Sequence, residues 1–65
     1  MTVERAFYRD KWNSNKVWEV AKLVGGYYLR QYICGQQIGK GLRTTKKFIQ
    51  SIGIFEFEKI GGIEL

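Results

Sequence analysis

Residues 17–32, VWEVAKLVGGYYLRQY, form two mostly apolar runs separated by Gly25 and Gly26. The runs are rich in β-branched and aromatic residues, which favour strands, and glycine supplies the positive φ angle that tight hairpin turns require. Strand side chains point alternately to opposite faces of a sheet, so the hairpin has two distinct faces. The sequence therefore predicts an antiparallel hairpin with strands at about 16–24 and 27–34.

The two predicted faces of this hairpin differ in polarity. The first face, which we expect to be covered, collects Trp18, Val20, Lys22, Val24, Tyr27, Leu29, Gln31 and Ile33. The second face collects Val17, Glu19, Ala21, Leu23, Tyr28, Arg30, Tyr32 and Cys34. On that second face Tyr28 and Tyr32 either cover neighbouring apolar side chains or form a contact surface. Arg30 either pairs diagonally with Glu19 or faces a ligand.

Two further strands are predicted near the ends of the chain. Residues 5–12, RAFYRDKW, are dense in aromatics and are expected to form a short edge strand, followed by a polar turn at 13–15. Residues 54–60, IFEFEKI, alternate phenylalanine with glutamate, which is typical of a strand with one wet side. The last segment, 61–65, is either a further short strand or a frayed tail.

Between the hairpin and the last strand, the sequence predicts a loop and a helix. Residues 35–41, GQQIGKG, carry three glycines and are expected to form a loop or an irregular strand extension. A helix at about 45–52 can begin at Thr44 or Thr45, because a threonine oxygen can accept a bond from a free amide of the first turn, and Gly53 is expected to end it. Its apolar stripe is Phe48, Ile49 and Ile52, which a helix this short must pack against the sheet. The predicted class is α+β: a small antiparallel sheet of three to four strands with one short helix packed on one face.

Composition argues against most catalytic and metal-binding functions. A chain of 65 residues is expected to form a single domain, 1–65, with a thin core. It has no histidine and one cysteine, so it lacks the usual bases, nucleophiles and zinc ligands, and we predict no enzyme activity, no cofactor and no metal. Cys34 is expected to pack as a small hydrophobe. No run approaches the roughly 20 apolar residues of a membrane span, so a cytoplasmic location is expected.

Positive charge is concentrated in the middle of the chain. The net charge is +5, and no acidic residue occurs between Glu19 and Glu56. Lysine and arginine neutralise phosphates, and aromatic rings stack on exposed bases, so this composition predicts nucleic-acid binding. The expected phosphate contacts are Arg30, Lys40, Arg43, Lys46 and Lys47. Tyr28 and Tyr32 are expected to add stacking or sugar contacts.

The order of short motifs resembles a known family. KVWEV at 16–20, a glycine hinge, YLR at 28–30 and GLRTTKK at 41–47 resemble the N-terminal DNA-binding domain of phage and transposon tyrosine integrases. The resemblance implies a three-stranded sheet backed by a helix, with Lys22, Arg30 and Tyr32 near DNA and Trp18 mostly structural. A freestanding copy is expected to be a small accessory protein of a phage or mobile element rather than a recombinase.

Two functions remain open from the sequence. The first is a small nucleic-acid-binding module, with duplex DNA favoured and RNA as the second ligand. The alternative is a protein interaction module, either a homodimer or an inhibitor of a host protein. It would use aromatics expected to be exposed, such as Tyr8 or Phe57, and an edge strand at 7–12 or 54–60.

Overall fold

The computed structural model describes residues 4–62, which form an antiparallel sheet of five strands with one short α-helix. The elements in chain order are β1 Glu4–Arg9, β2 Lys16–Leu23, β3 Gly26–Ile33, β4 Gln36–Thr44, α1 Lys46–Ser51, a 3-10 helix Ile54–Glu56 and β5 Glu58–Gly62. The spatial order is β4-β3-β2-β1-β5. The first four strands follow one another as hairpins, and β5 returns to the free side of β1.

The predicted central hairpin is confirmed, with a different turn. Leu23 lies opposite Gly26, so the two-residue loop is Val24 and Gly25, and Gly25 has φ 80°. The prediction had Gly25 and Gly26 as the loop. Moving the loop one residue toward the N-terminus shifts the pairing by two residues, which leaves every side chain on its predicted face. Glu19 consequently lies directly opposite Arg30 rather than diagonal to it.

The sheet has one strand more than the three or four predicted. Residues 36–44, which were expected to begin as a glycine-rich loop, form β4 along the outer side of β3. The strand accommodates its glycines through an irregularity: Leu29 pairs with Leu42 and Gln31 pairs with Ile38, so residues 39–41 lie opposite Arg30 alone. Pairing with β3 stabilises a strand that its own side chains do not favour.

The first strand ends at Arg9 rather than at 12. Asp10 ends it because its carboxylate accepts hydrogen bonds from the backbone amides of Trp12 at 2.8 Å and Asn13 at 2.9 Å. The other carboxylate oxygen accepts a bond of 2.9 Å from the indole of Trp18. This indole bond, with help from the two amides, lowers the pKa of Asp10.

The predicted strand at 54–60 is two elements. Gly53, at φ 81°, ends α1 as predicted and leads into the 3-10 helix, whose bond from the amide of Phe57 to the carbonyl of Ile54 is 2.9 Å. The strand begins only at Glu58 and extends to Gly62. Burial explains the difference, because Ile54 and Phe57 both reach the core and are three residues apart, which suits a tight helical turn. Residues 63–65 of the predicted tail lie outside the described residues.

The core lies on one side of the sheet. Its buried members are Ala6, Tyr8, Val20, Leu29, Ile49, Ile54 and Phe57. Trp18 packs against them in part, as do Tyr27 and Phe55. Tyr8 and Phe57 were expected to be exposed, but both are buried. Tyr8 lies on an inner strand, since β1 is between β2 and β5, and Phe57 reaches the core from the junction of the 3-10 helix with β5.

The rest of the expected apolar face is only partly covered. Val24 is 93% exposed because it lies in the turn, and Ile33 is exposed at the end of β3. In the helix, Thr45 is the N-terminal cap, its hydroxyl accepting a bond of 3.2 Å from the amide of Phe48. Ile49 is fully buried, whereas Phe48 and Ile52 remain exposed.

Cys34 is exposed, which corrects the prediction that it packs as a small hydrophobe. It forms the two-residue loop between β3 and β4 with Gly35. Both residues have positive φ, 51° for Cys34 and 82° for Gly35, as hairpin turns of type I′ require. The turn therefore directs Cys34 away from the core.

Candidate nucleic-acid interface

The face of the sheet opposite the core carries all four arginines of the chain. Side chains that pair directly across antiparallel strands share a face, so the register gives three rows across this surface. The rows are Arg5, Ala21, Tyr28 and Arg43; then Phe7, Glu19 and Arg30; then Arg9, Val17, Tyr32 and Gln37. We call this surface the arginine face.

Glu19 lies at the centre of the arginine face and is 2% exposed. One carboxylate oxygen accepts a hydrogen bond of 2.7 Å from the hydroxyl of Tyr32 and lies 3.5 Å from the guanidinium of Arg30. The other oxygen is 3.1 Å from the guanidinium of Arg5. A buried carboxylate needs such partners, and here they come from both neighbouring strands. Glu19 thus holds two guanidinium groups in fixed positions.

These contacts change the titration of the groups around Glu19. The hydrogen bond to Glu19, together with partial burial, raises the pKa of the Tyr32 hydroxyl. Burial by itself lowers the pKa of Arg30, but the Glu19 carboxylate and the Tyr32 oxygen together outweigh it, and the net pKa is raised. Arg30 is therefore charged, and Tyr32 is neutral, at any physiological pH.

A cation–π contact joins Arg30 to Tyr28. The Arg30 guanidinium lies 5.0 Å from the centroid of the Tyr28 ring. The ring packs over Gly41 of β4 so closely that a Cβ atom at this position would overlap it. Gly41 therefore has a packing role, since only glycine leaves room for Tyr28 in this orientation. The ring is half-buried, so part of it is available for a ligand.

The arginine face has an excess of positive charge. The side chains of Arg5 and Arg30 are 46% and 38% exposed although both contact Glu19. Arg9 forms an exposed ion pair of 3.1 Å with Glu58, and Arg43 is exposed. Four guanidinium groups thus face two carboxylates. Such a surface attracts polyanions.

The structure brings together only part of the predicted site. Tyr28, Arg30, Tyr32 and Arg43 share the arginine face, and Lys40 lies in the irregular segment of β4 opposite Arg30. Lys22 is on the other face of β2, where it pairs with Tyr27. Lys46 and Lys47 are exposed in the first turn of α1.

The sequence did not predict that Arg5 and Arg9 belong to the candidate site, or that Glu19 lies at its centre. The pairing of β1 with β2 depends on the turn at residues 10–15, and that turn gives no sequence signal for the register. A signal did exist in the stretch VWEVA, because a lone carboxylate among apolar strand residues requires cationic partners on the neighbouring strands.

Comparison of the chain with protein-family models, curated proteins and solved structures gives no match. Within residues 4–62, no helix is long and apolar enough to cross a membrane. The same residues contain no group of three or more histidine, cysteine, aspartate or glutamate side chains placed to hold a metal ion.

Proposed function

We propose that the chain is a small non-enzymatic nucleic-acid-binding protein that holds the phosphate backbone on its arginine face. The observation that carries this proposal is the pair of guanidinium groups, Arg5 and Arg30, oriented by one buried carboxylate and left half exposed. Arginine donors fixed in advance lose little entropy when they bind a phosphate. Arg43 adds a further exposed cation to the same face.

Aromatic side chains on the arginine face support the proposal. Tyr28 and Tyr32 lie on the same strand as Arg30 and are half-buried, so parts of their rings are free to contact sugars or bases. Binding of single strands commonly combines such rings with a basic surface. Duplex DNA is the first ligand to test and RNA the second.

The test is a fluorescence anisotropy titration of labelled duplex DNA, single-stranded DNA and RNA at several salt concentrations. Binding that weakens linearly in a log–log plot supports phosphate contacts, with a slope of about 0.9 per contact for a duplex. The variant Arg43→Gln is expected to lower the duplex slope by about one, because it removes one phosphate contact from every complex.

Lys22→Gln is the matched control. It removes one positive charge from an exposed side chain on the opposite face of the sheet. We expect its slope to equal that of the parent protein. Equal slopes for the parent and Arg43→Gln would contradict the assignment to the arginine face, and a loss confined to Lys22→Gln would move the interface to the other face.

An exposed apolar cluster favours a second candidate function, homodimerisation. Ile33, Ile38 and Leu42 are 36%, 46% and 52% exposed at the core-side face of β3 and β4, and β4 is an edge strand. Sedimentation velocity over a range of protein concentrations tests this candidate. A dimer that Leu42→Lys dissociates, in a protein without affinity for nucleic acid, would favour it over the first proposal.

A further inference from the structure

A cavity of about 450 Å³ lies between the turn after β1 and the junction of the 3-10 helix with β5. Its walls include Trp12, Phe57, Glu56 and Glu58. Of the arginine face, only Arg9 lines the cavity, and Arg5, Tyr28, Arg30 and Arg43 do not. The cavity is therefore a separate candidate site.

Trp12, which is 80% exposed, lines this cavity with its indole ring. Its ring meets Phe57 edge to face, with the ring centroids 5.7 Å apart and the planes at 88°. Phe57 is buried in the core, so it anchors the tryptophan while the indole surface stays open. An open indole attracts cations, and the ammonium group of Lys11 already lies 5.8 Å from the ring centroid.

The cavity is also locally acidic, although the chain has a net charge of +5. Asp10, Glu56 and Glu58 outnumber the cationic lining residues Arg9 and Lys11. Asp10 is occupied by its three hydrogen bonds, and Glu58 pairs with Arg9. Among residues 4–62, Glu56 forms no ion pair, so its charge is available to a cation from outside.

The cavity lies at the start of an edge strand. β5 begins at Glu58 and pairs only with β1 within the described part of the chain. A free strand edge can accept an extended segment of another protein through backbone hydrogen bonds, while neighbouring pockets take its side chains. A cavity at the start of β5 is placed to receive such a side chain.

We propose that this cavity binds a lysine or arginine side chain of a partner protein whose extended segment pairs with β5. The side chain stacks on Trp12, and its charge is neutralised by Glu56. The proposal is independent of nucleic-acid binding, because it depends on the acidic lining and the indole rather than on the arginine face.

The test is a titration of the isotope-labelled protein, followed by ¹H–¹⁵N NMR, with the blocked peptide acetyl-Thr-Val-Lys-Val-Thr-amide. We expect saturable shifts at the Trp12 indole N–H and at the amides of Glu58–Gly62. The same peptide with norleucine in place of lysine keeps the length and apolar stem but lacks the charge. It is expected to bind about two- to fivefold more weakly, a factor of the size of an exposed cation–π contact.

Variants of exposed residues assign the contacts without threatening the fold. Trp12→Ala is expected to abolish the shifts at β5, and Glu56→Gln to weaken binding about two- to fivefold. Glu4→Gln, the control, removes an exposed carboxylate outside the cavity and is expected to change nothing. Equal binding of the norleucine peptide, no saturable shift with the lysine peptide, or equal effects of Glu4→Gln and Glu56→Gln would each overturn the proposal.

Discussion

Replacing Glu19 with glutamine removes a buried charge while keeping the shape of the side chain. The carboxylate holds three partners at once: the Tyr32 hydroxyl at 2.7 Å, the Arg5 guanidinium at 3.1 Å and the Arg30 guanidinium at 3.5 Å. Glutamine has one oxygen to accept and one amide to donate, so it cannot serve two guanidinium groups. The variant therefore weakens all three contacts without opening a cavity.

The expected loss of stability follows from the burial of each partner. The bond from Tyr32 changes from charge-assisted to neutral, which costs about 1 kcal/mol. The contacts with Arg5 and Arg30 contribute less, about 0.5 kcal/mol together, because both arginines are more than a third exposed and solvent screens them. Burying a neutral amide costs less free energy than burying a carboxylate, and this difference offsets part of the loss. We expect Glu19→Gln to lower the free energy of unfolding by about 1 kcal/mol, or the Tm by about 4–8 °C.

Urea unfolding at neutral pH, followed by tryptophan fluorescence and far-UV circular dichroism, measures this loss. Glu58→Gln is the matched control, because Glu58 also lies 3.1 Å from an arginine but its side chain is 67% exposed. It is expected to cost less than about 0.5 kcal/mol. Equal losses from the two variants would refute the reasoning, since Glu19 is buried and holds three partners whereas Glu58 is exposed and pairs with Arg9.

Three other substitutions test separate features. Tyr32→Phe should flatten the alkaline limb of the curve of unfolding free energy against pH. The pKa of Tyr32 is raised in the folded state. Its contribution to stability is therefore complete below its ordinary pKa of about 10 and is lost as pH rises through the folded value. Asp10→Asn should flatten the acidic limb of that curve. The bond from Trp18 lowers the pKa of Asp10, so its contribution is lost as pH falls through that lowered value. Both are measured by urea unfolding across pH. Cys34→Asn should raise the free energy of unfolding by about 0.5–1 kcal/mol, since asparagine tolerates the positive φ of this turn better; an unchanged or lower urea midpoint would contradict this.

The two faces of the central hairpin were predictable because they depend only on alternation. A strand has a side-chain period of two, so Val20 and Leu29 share a face with Trp18 whether the loop is at 24–25 or at 25–26. The helix start was predictable for a similar local reason: the hydroxyl of Thr45 bonds an amide three residues away. Local geometry fixed both features.

Features that depend on distant partners were not predictable. The sequence predicts a loop at the start of β4 because its glycines give no alternating pattern. Only the hydrogen bonds to β3 make this segment a strand. The sequence predicts β1 as an edge strand, because nothing near residues 5–9 indicates that β5 returns from the end of the chain to pair with it. As an inner strand, β1 holds Tyr8 in the core. The pairing of β1 with β2 places Arg5 beside Glu19, and the register of that pairing had no signal in the sequence, so the predicted site lacked Arg5.

The Glu19→Gln variant distinguishes the contribution of the arginine face to stability from its contribution to ligand binding. A carboxylate among arginines reduces the attraction of the face for phosphates, yet it also holds Arg5 and Arg30 in place. If the face binds nucleic acid chiefly through its charge, Glu19→Gln should bind duplex DNA more tightly at low salt while unfolding at a lower urea concentration. If the fixed positions of the two guanidinium groups matter more, both stability and affinity should fall. A variant that loses stability with no change in affinity for duplex DNA, single-stranded DNA or RNA would show that the contacts of Glu19 with Arg5 and Arg30 serve the fold rather than the ligand.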